Sequence, residues 1–261
     1  MHWIRVFAAS TVNAAADFAA TYTWRTWTFA WLSRIIAQVL FFTLIGTLLG
    51  SPDKQRFLLI GATVMAIVAE VLFTCASSTW ERRAGTLPLL VASPGDLLAV
   101  FAGRSIQWVP SSVATSSVCL LVVGPFFGVH WTWGTALALV PVLVVTAVTT
   151  YCFALVAGAF VLNAMDIRNI VANVLGALMT AFCGAVVPVS YWPGWVGQVV
   201  TLLPTTHGLR AVRALADGGN PVGGCVAALL TGVLWLVVAR LVLHRLAEHG
   251  RRDGTIEFGD S

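Results

Sequence analysis

Residues 80–107 read WERRAGTLPLLVASPGDLLAVFAGRSIQ, a charged, glycine-containing stretch between two apolar runs of membrane length. The apolar core of a bilayer accepts a helix of about 20 residues. A short, Arg-rich connection between two such helices is typical of the cytoplasmic side, where a partner protein can push on both helices together. The stretch therefore predicts two membrane-spanning helices joined by a cytoplasmic connection.

The composition of the whole chain indicates an integral membrane protein. Of its 261 residues, 58% are hydrophobic and 10% are charged, and the mean hydropathy is +0.87. Soluble domains carry about 25% charged residues. Long apolar runs separated by short polar breaks favour helices, because a membrane β-barrel has alternating segments of about ten residues. We therefore expect an all-α membrane protein.

The charged residues and the cysteines exclude several other classes of protein. The net charge of +4 comes from Arg residues that are scattered through loops and helix ends, which does not fit a nucleic-acid partner. The five cysteines lie singly in apolar segments, without CxxC spacing, at Cys75, Cys119, Cys152, Cys183 and Cys225. We expect neither a disulfide framework nor a metal site.

Six apolar runs predict six transmembrane helices. They cover about residues 27–49, 57–79, 96–124, 134–162, 170–187 and 223–246. The fifth run is short for a full crossing because Pro188 stops it. Six spans place both termini on one side, and the larger number of Arg and Lys residues on that side favours cytoplasmic termini.

Segments outside the six spans complete the predicted architecture. Residues 1–26 form a cytoplasmic N-terminus, which contains an amphipathic helix with the pattern of one lying in the membrane interface. Residues 27–246 form the transmembrane domain, and residues 247–261 form a polar cytoplasmic tail. Between spans 5 and 6, residues 188–222 hold two apolar pieces that are each too short to span, which predict re-entrant outer helices.

Several polar side chains in the membrane-embedded part have predicted roles or partners. The candidates for a substrate path are Glu70, Ser112, Ser116 and Asn173. An unpaired acid is costly inside a membrane, so Glu70 is expected to pair with Arg104 or with a hydroxyl. The two serines follow Pro110, and they either form a polar wall of the path or satisfy backbone groups freed at a kink. Arg213 and Asp217 are expected to pair at i,i+4.

The sequence contains no motif that would supply energy from ATP. A nucleotide-binding loop ends in Gly-Lys-Ser/Thr, and the one lysine of this chain is Lys54, in the turn SPDKQR. HExxH, GxSxG and GxGxxG are also absent from the sequence. We therefore expect a protein that is not an enzyme by itself and binds no cofactor. If ATP drives it, a separate polypeptide hydrolyses the ATP.

Three stretches resemble the membrane subunit of type-2 ATP-binding-cassette exporters, the ABC type-2 permeases. They are ERRAGTLPLLVASP at residues 81–94, RNIVANVLGALMTAFCGAVVPVSYWPGW at 168–195 and LLPTTHGLRAVRAL at 202–215. Their order and spacing extend the resemblance over nearly the whole chain. One position departs from the pattern, because family members often carry an acidic residue where this chain has Pro88.

The resemblance implies roles for two regions and a set of partners. The coupling region, residues 80–95, would dock on the ATPase through Glu81, Arg82, Arg83, Gly85, Thr86, Leu87, Leu89 and Leu90. The outer gate would contain Pro188, Tyr191, Trp192, Pro204, His207, Arg210 and Arg213. The implied partners are nucleotide-binding ATPase subunits that hold ATP and Mg²⁺, a second copy or a related permease, and membrane lipids.

These observations predict the permease subunit of an ATP-driven exporter that moves an amphipathic, drug- or lipid-like molecule out of the cell, as in multidrug efflux. Arg in place of Lys, with abundant Ala, Val and Gly, is typical of a GC-rich bacterial genome and therefore favours a bacterial plasma membrane. Two alternatives stay open. One is a transporter driven by an ion gradient through Glu70, and the other is a non-transporting membrane scaffold or lipid-handling enzyme.

Overall fold

The computed structural model describes residues 2–21, 23–78, 90, 96–162 and 167–253. Within these ranges the chain forms helices and turns and no strands. The helices in chain order are α1 (His2–Thr21), α2 (Trp24–Leu48), α3 (Pro52–Ser77), α4 (Leu97–Phe127), α5 (Trp133–Val161), α6 (Arg168–Phe182), α7 (Gly194–Val200), α8 (Pro204–Ala216) and α9 (Val222–Asp253). The all-α prediction is confirmed.

Five of these helices are long and apolar enough to cross a membrane. They are α2, α3, α4, α5 and the Val222–His249 part of α9. The fifth predicted span differs, because α6 has 15 residues and is therefore only about 22 Å long, against roughly 30 Å of bilayer core. Gly184 has a φ of 90°, which breaks helical geometry two residues after α6 ends and well before Pro188.

Helix boundaries follow capping residues in the sequence. Ser51 accepts a hydrogen bond from the Lys54 N–H, and Pro52 occupies the first position of α3, where its missing N–H costs nothing. Asp96 caps α4 by accepting from the Leu98 N–H at 3.0 Å. These caps fix where the chain changes direction between the long helices.

Helix α4 is interrupted near its first proline. Its α-helical parts are Leu97–Ser105 and Trp108–Val118, separated by a turn at Ile106 and Gln107. The ring of Pro110 crowds the carbonyl group four residues earlier, at Ile106, which explains the position of the turn. The kink expected at Pro110 is thus confirmed.

The core lies along α3 and α5. About four-fifths of the apolar window of α3 is buried and nearly three-quarters of that of α5, against 22% for α2 and for α9. Helix α8 packs between α5 and α9, and α4 packs against α3. The two least buried long helices, α2 and α9, therefore flank the bundle and carry much of its exposed apolar surface.

Helix α1 packs along the first part of α4. A Cβ atom at Gly103 would lie 2.7 Å from the Phe7 carbonyl oxygen, so only glycine allows the two helices to approach this closely. Arg104 donates to the Asp17 carboxylate at 2.8 Å and fastens the other end of α1. The predicted N-terminal helix is confirmed as a helix, and its place in the membrane interface stays a prediction.

Candidate functional site

An open groove of about 430 Å³ lies between α2, α3 and α6. Its polar lining residues are Arg34, Gln38, Asn169, Asn173 and Thr180, and its larger apolar ones are Met65, Leu72 and Phe73. Small residues, among them Ala69, Ala76 and Gly176, keep the groove wide between these side chains. The groove therefore combines hydrogen-bonding groups with apolar walls, which is the usual composition of a small-molecule site.

Of the four residues predicted for a substrate path, Asn173 lies in this groove. It is exposed on α6, one turn after Asn169. The other polar lining residues were not assigned to the path from the sequence, and two of them, Arg34 and Gln38, lie on α2. They lie four positions apart in an apolar helix, so both occupy the same face of that helix. This spacing of two polar residues could have indicated a polar surface on α2.

Glu70 lies beside the groove in sequence but points into the protein. Its side chain is fully buried and does not line the groove. The Ser111 hydroxyl donates to Glu70 Oε2 at 2.7 Å, and the Thr115 hydroxyl donates to Oε1. The predicted pairing of Glu70 with a hydroxyl is therefore confirmed. The alternative pairing with Arg104 is wrong, because Arg104 forms an ion pair with Asp17.

Ser112 and Ser116 are also buried on α4, and Ser116 contacts α3. The Ser112 hydroxyl donates to the Val109 carbonyl at 2.9 Å, and the Ser116 hydroxyl to the Thr63 carbonyl at 3.4 Å. Both hydroxyls thus satisfy backbone oxygens, which agrees with the packing interpretation of these serines. The structure thus brings Glu70 and Ser116 to the contact between α3 and α4, buries Ser112 on α4, and places Asn173 elsewhere, in the groove.

The segments predicted to form the outer gate meet around Arg213. Its guanidinium lies over the Phe57 ring, 3.6 Å from the ring centroid, and donates to the carbonyl oxygens of Phe57 and Ala185 at 3.3 and 3.4 Å. Burial lowers the pKa of Arg213 to about 10, while Asp217 opposes this shift. The guanidinium therefore stays charged at neutral pH and ties α8 to the start of α3.

The predicted ion pair between Arg213 and Asp217 is wrong. Asp217 instead binds Arg56 at 3.1 Å, and Arg56 also donates to the Ala216 carbonyl. Arg213 is drawn inward by the Phe57 ring and two carbonyl oxygens, while Asp217 lies at the exposed end of α8. Two arginines from different helices thus hold α8 at this end of the bundle.

The other predicted gate residues lie in the chain between Pro188 and the middle of α8. Pro204 is buried at the start of α8, where His207 Nε2 lies 2.7 Å from the Thr201 carbonyl oxygen. Trp192 packs on Phe182, with 4.8 Å between ring centroids. The exposed members of the set are Pro188, Tyr191 and Arg210. Their role as a gate stays a prediction.

Most of the predicted coupling region lies outside the described residues. This applies to Glu81, Arg82, Arg83, Gly85, Thr86, Leu87 and Leu89. Leu90 is described, is half-buried and packs against the main core. The region begins after α3 and ends before α4, and α1 packs on the first part of α4, so α1 lies near its exit.

Comparison with family models connects the chain to a known family of membrane proteins. A family model described as an ABC-2 type transporter matches residues 13–216. The matched range runs from the second half of α1 through α8, so it includes the groove, the predicted coupling region and the predicted gate. No curated protein matches the chain.

Proposed function

We propose, because this chain belongs to the ABC-2 type transporter family, that it is the membrane-spanning half of an ATP-driven exporter. As an ABC-2 permease it is a transport component of a multi-pass membrane complex. Permeases of this family work with ATP-binding subunits, generally as dimers. The proposal adds the direction of transport, the class of substrate and the residues that couple to the motor.

The observation that carries the proposal is the groove between α2, α3 and α6. Its lining offers amide, hydroxyl and guanidinium groups beside apolar side chains. Such a surface suits an amphipathic molecule, drug-like or lipid-like, whose polar group pairs with Gln38 or Asn173 and whose apolar part lies on Leu72 and Phe73. The groove is open, and a second permease would close it.

The exposed apolar surface of α2 supports this dimeric arrangement. Only 22% of its apolar window is buried, and Phe41, Leu44 and Leu48 are more than half exposed. Lipid or another permease covers such a face in a membrane, and α2 also forms one wall of the groove. A second copy, or a related chain, packed beside α2 would therefore enclose the groove as a pathway.

Energy would come from a separate nucleotide-binding subunit that holds ATP and Mg²⁺. Closure of two such subunits would push on the coupling region, through Glu81 to Leu90, and tilt the helices on either side of it. Helix α1 would form a second contact with the motor, because it packs on the first part of α4. In this arrangement both termini face the cytoplasm of a bacterium, across its plasma membrane.

The ion-gradient alternative depends on Glu70, and the surroundings of Glu70 favour a packing role. Both carboxylate oxygens accept hydrogen bonds from hydroxyls of α4, and the side chain is turned away from the groove. A proton-carrying group needs access to water on one side of the membrane at a time. We therefore prefer ATP as the source of energy.

Reversing the charges at Arg82 and Arg83 tests the coupling proposal. The double variant Arg82→Glu/Arg83→Glu should lower transport-stimulated ATP hydrolysis at least about tenfold, because like charges would replace attractive pairs at a docking surface. The measurement is ATPase activity of the reconstituted complex, together with co-purification of the ATPase subunit.

The matched control is Arg251→Glu/Arg252→Glu, which makes the same change of charge at the end of α9. This control should retain ATP hydrolysis within about twofold, since both residues lie outside the proposed coupling region. Unchanged hydrolysis and transport in the Arg82/Arg83 variant would overturn the assignment of this region to coupling.

A further inference from the structure

A second pocket, of about 600 Å³, lies apart from the groove, between α1, the start of α2 and the middle of α4. It is lined by Ala15, Phe18, Thr23, Trp24, Trp27, Thr28, Gln107, Pro110 and Ser111. None of these side chains is charged, and the larger ones are aromatic. Its volume falls within the range of about 300–1,000 Å³ that is typical of small-molecule sites.

Gln107 is the unusual residue of this pocket. It is 9% exposed, and neither its Oε1 nor its Nε2 has a hydrogen-bond partner in the part of the chain that the structure describes. Buried polar atoms in native proteins nearly always have partners. The break in α4 at Ile106 and Gln107 places this amide in the pocket wall, where an external group can reach both of its polar atoms.

The uncharged amide and the aromatic side chains of the pocket favour a particular class of ligand. An uncharged amide that can both donate and accept suits an ester or a hydroxyl, while a phosphate or a carboxylate would be drawn to a cation. Phe18, Trp24 and Trp27 offer apolar faces to a hydrocarbon chain. An amphipathic N-terminal helix and a cluster of tryptophans at a helix start are both typical of the membrane interface, where lipid esters lie.

A cation is present just outside the pocket. Arg25 is exposed, and its guanidinium lies over the Trp24 ring, 5.5 Å from the centroid. Its neighbour Trp24 lines the pocket, so a phosphate bound to Arg25 would sit beside the opening. Arg104, the other arginine of this region, is already engaged by Asp17. The pocket is thus lined by uncharged side chains and has one exposed cation beside it.

We propose that this pocket binds a membrane glycerophospholipid, with one acyl chain on Phe18, Trp24 and Trp27, an ester oxygen at the Gln107 amide and the phosphate at Arg25. Ser111 links the site to the interior, because its hydroxyl accepts from Trp27 Nε1 at 3.2 Å and donates to Glu70. The lipid thus contacts α1, α2 and α4 at once and stabilises their packing. This inference does not depend on which molecule the groove transports.

A phosphatidylglycerol probe with a photoreactive acyl chain tests the site in the purified full-length permease. In the wild type, crosslinks should concentrate on peptides that contain residues 15–28 and 107–111. Gln107→Leu should lower this labelling about five- to tenfold at subsaturating probe, because the ester oxygen loses the hydrogen bond that Gln107 Nε2 donates. Gln198→Leu makes the same change at an exposed position of α7 and should label like the wild type.

A second variant keeps the test decisive if Gln107→Leu does not fold. Ala15→Trp fills the pocket from the exposed side of α1, leaves Gln107 in place and should lower the labelling by a similar factor. Added phosphatidylglycerol should also raise the melting temperature of the wild type and of Gln198→Leu more than that of Ala15→Trp. Labelling that stays unchanged in a folded pocket variant, or that spreads evenly over the exposed face of α9, would overturn the proposal.

Discussion

Replacing Gly61 with alanine is expected to lower the melting temperature of the permease by about 6–12 °C, which corresponds to roughly 3 kcal/mol of unfolding free energy. A Cβ atom at this position of α3 would collide with the carbonyl oxygen of Ala185 and lie 2.8 Å from its carbonyl carbon. These are backbone atoms, so no side-chain rotation relieves the clash. The turn after α6 contains Gly184, and its Ala185 carbonyl oxygen accepts a hydrogen bond from Arg213. This turn would have to move away from α3.

The matched control is Gly134→Ala near the start of α5. No atom lies within 4 Å of a Cβ built there, and the residue is exposed. Alanine is the better helix former by about 1 kcal/mol, so this variant should melt at the wild-type temperature or slightly above it. Thermal unfolding in detergent or in nanodiscs measures both. If Gly61→Ala and Gly134→Ala melt alike, the close contact of α3 with the turn is wrong.

Replacing Glu70 with alanine is expected to destabilise the protein by a similar amount, about 3 kcal/mol. The change leaves a cavity between α3 and α4 and removes the acceptor for the Ser111 and Thr115 hydroxyls. Glu70→Gln keeps the volume and one carbonyl acceptor, so it should lose less than half of that stability. Thermal unfolding again gives the measurement.

The two glutamate variants also separate packing from proton coupling. With a packing role, Glu70→Gln should retain ATP-driven transport within about twofold of the wild type, because the side chain does not line the groove. Glu248→Ala, at a half-exposed position of α9, is the control for stability and should shift it by less than about 0.5 kcal/mol. A folded Glu70→Gln permease that no longer transports would contradict the packing role.

Patterns that extend over many residues predicted the long helices. Apolar runs of membrane length place α2, α3, α4, α5 and α9 close to their observed positions. Membrane-spanning segments are predictable in this way because backbone groups in lipid must be satisfied within the helix. The interruption of α4 follows from Pro110 for the same local reason.

Features that depend on packing between distant segments were not predictable from sequence. Helix α6 ends at Phe182 because Gly184 turns there, whereas hydropathy continues to Pro188. Arg213 contacts the Phe57 ring and does not pair with Asp217, which is four residues away in sequence. Phe57 is distant in sequence, and the fold brings its ring to Arg213. Helical spacing cannot reveal such a partner.

The candidate sites show the same division. Asn173 was one of the residues predicted for a substrate path, and it lines the groove between α2, α3 and α6. Gln107 was not predicted as a site residue, because a single amide near a helix break is common in sequences. Its importance comes from burial without a partner beside Trp24 and Trp27, which are far away along the chain.

Gentle purification of the tagged chain from its native membrane tests most directly whether it is half of an ATP-driven exporter. Co-purifying proteins would be identified by mass spectrometry, and the complex would be assayed for ATP hydrolysis. We expect a separate subunit with a nucleotide-binding loop, and hydrolysis that depends on its presence. The exporter proposal would be contradicted if the chain purifies alone and its proteoliposomes respond to a pH gradient but not to ATP. Glu70 would then be the candidate for proton coupling.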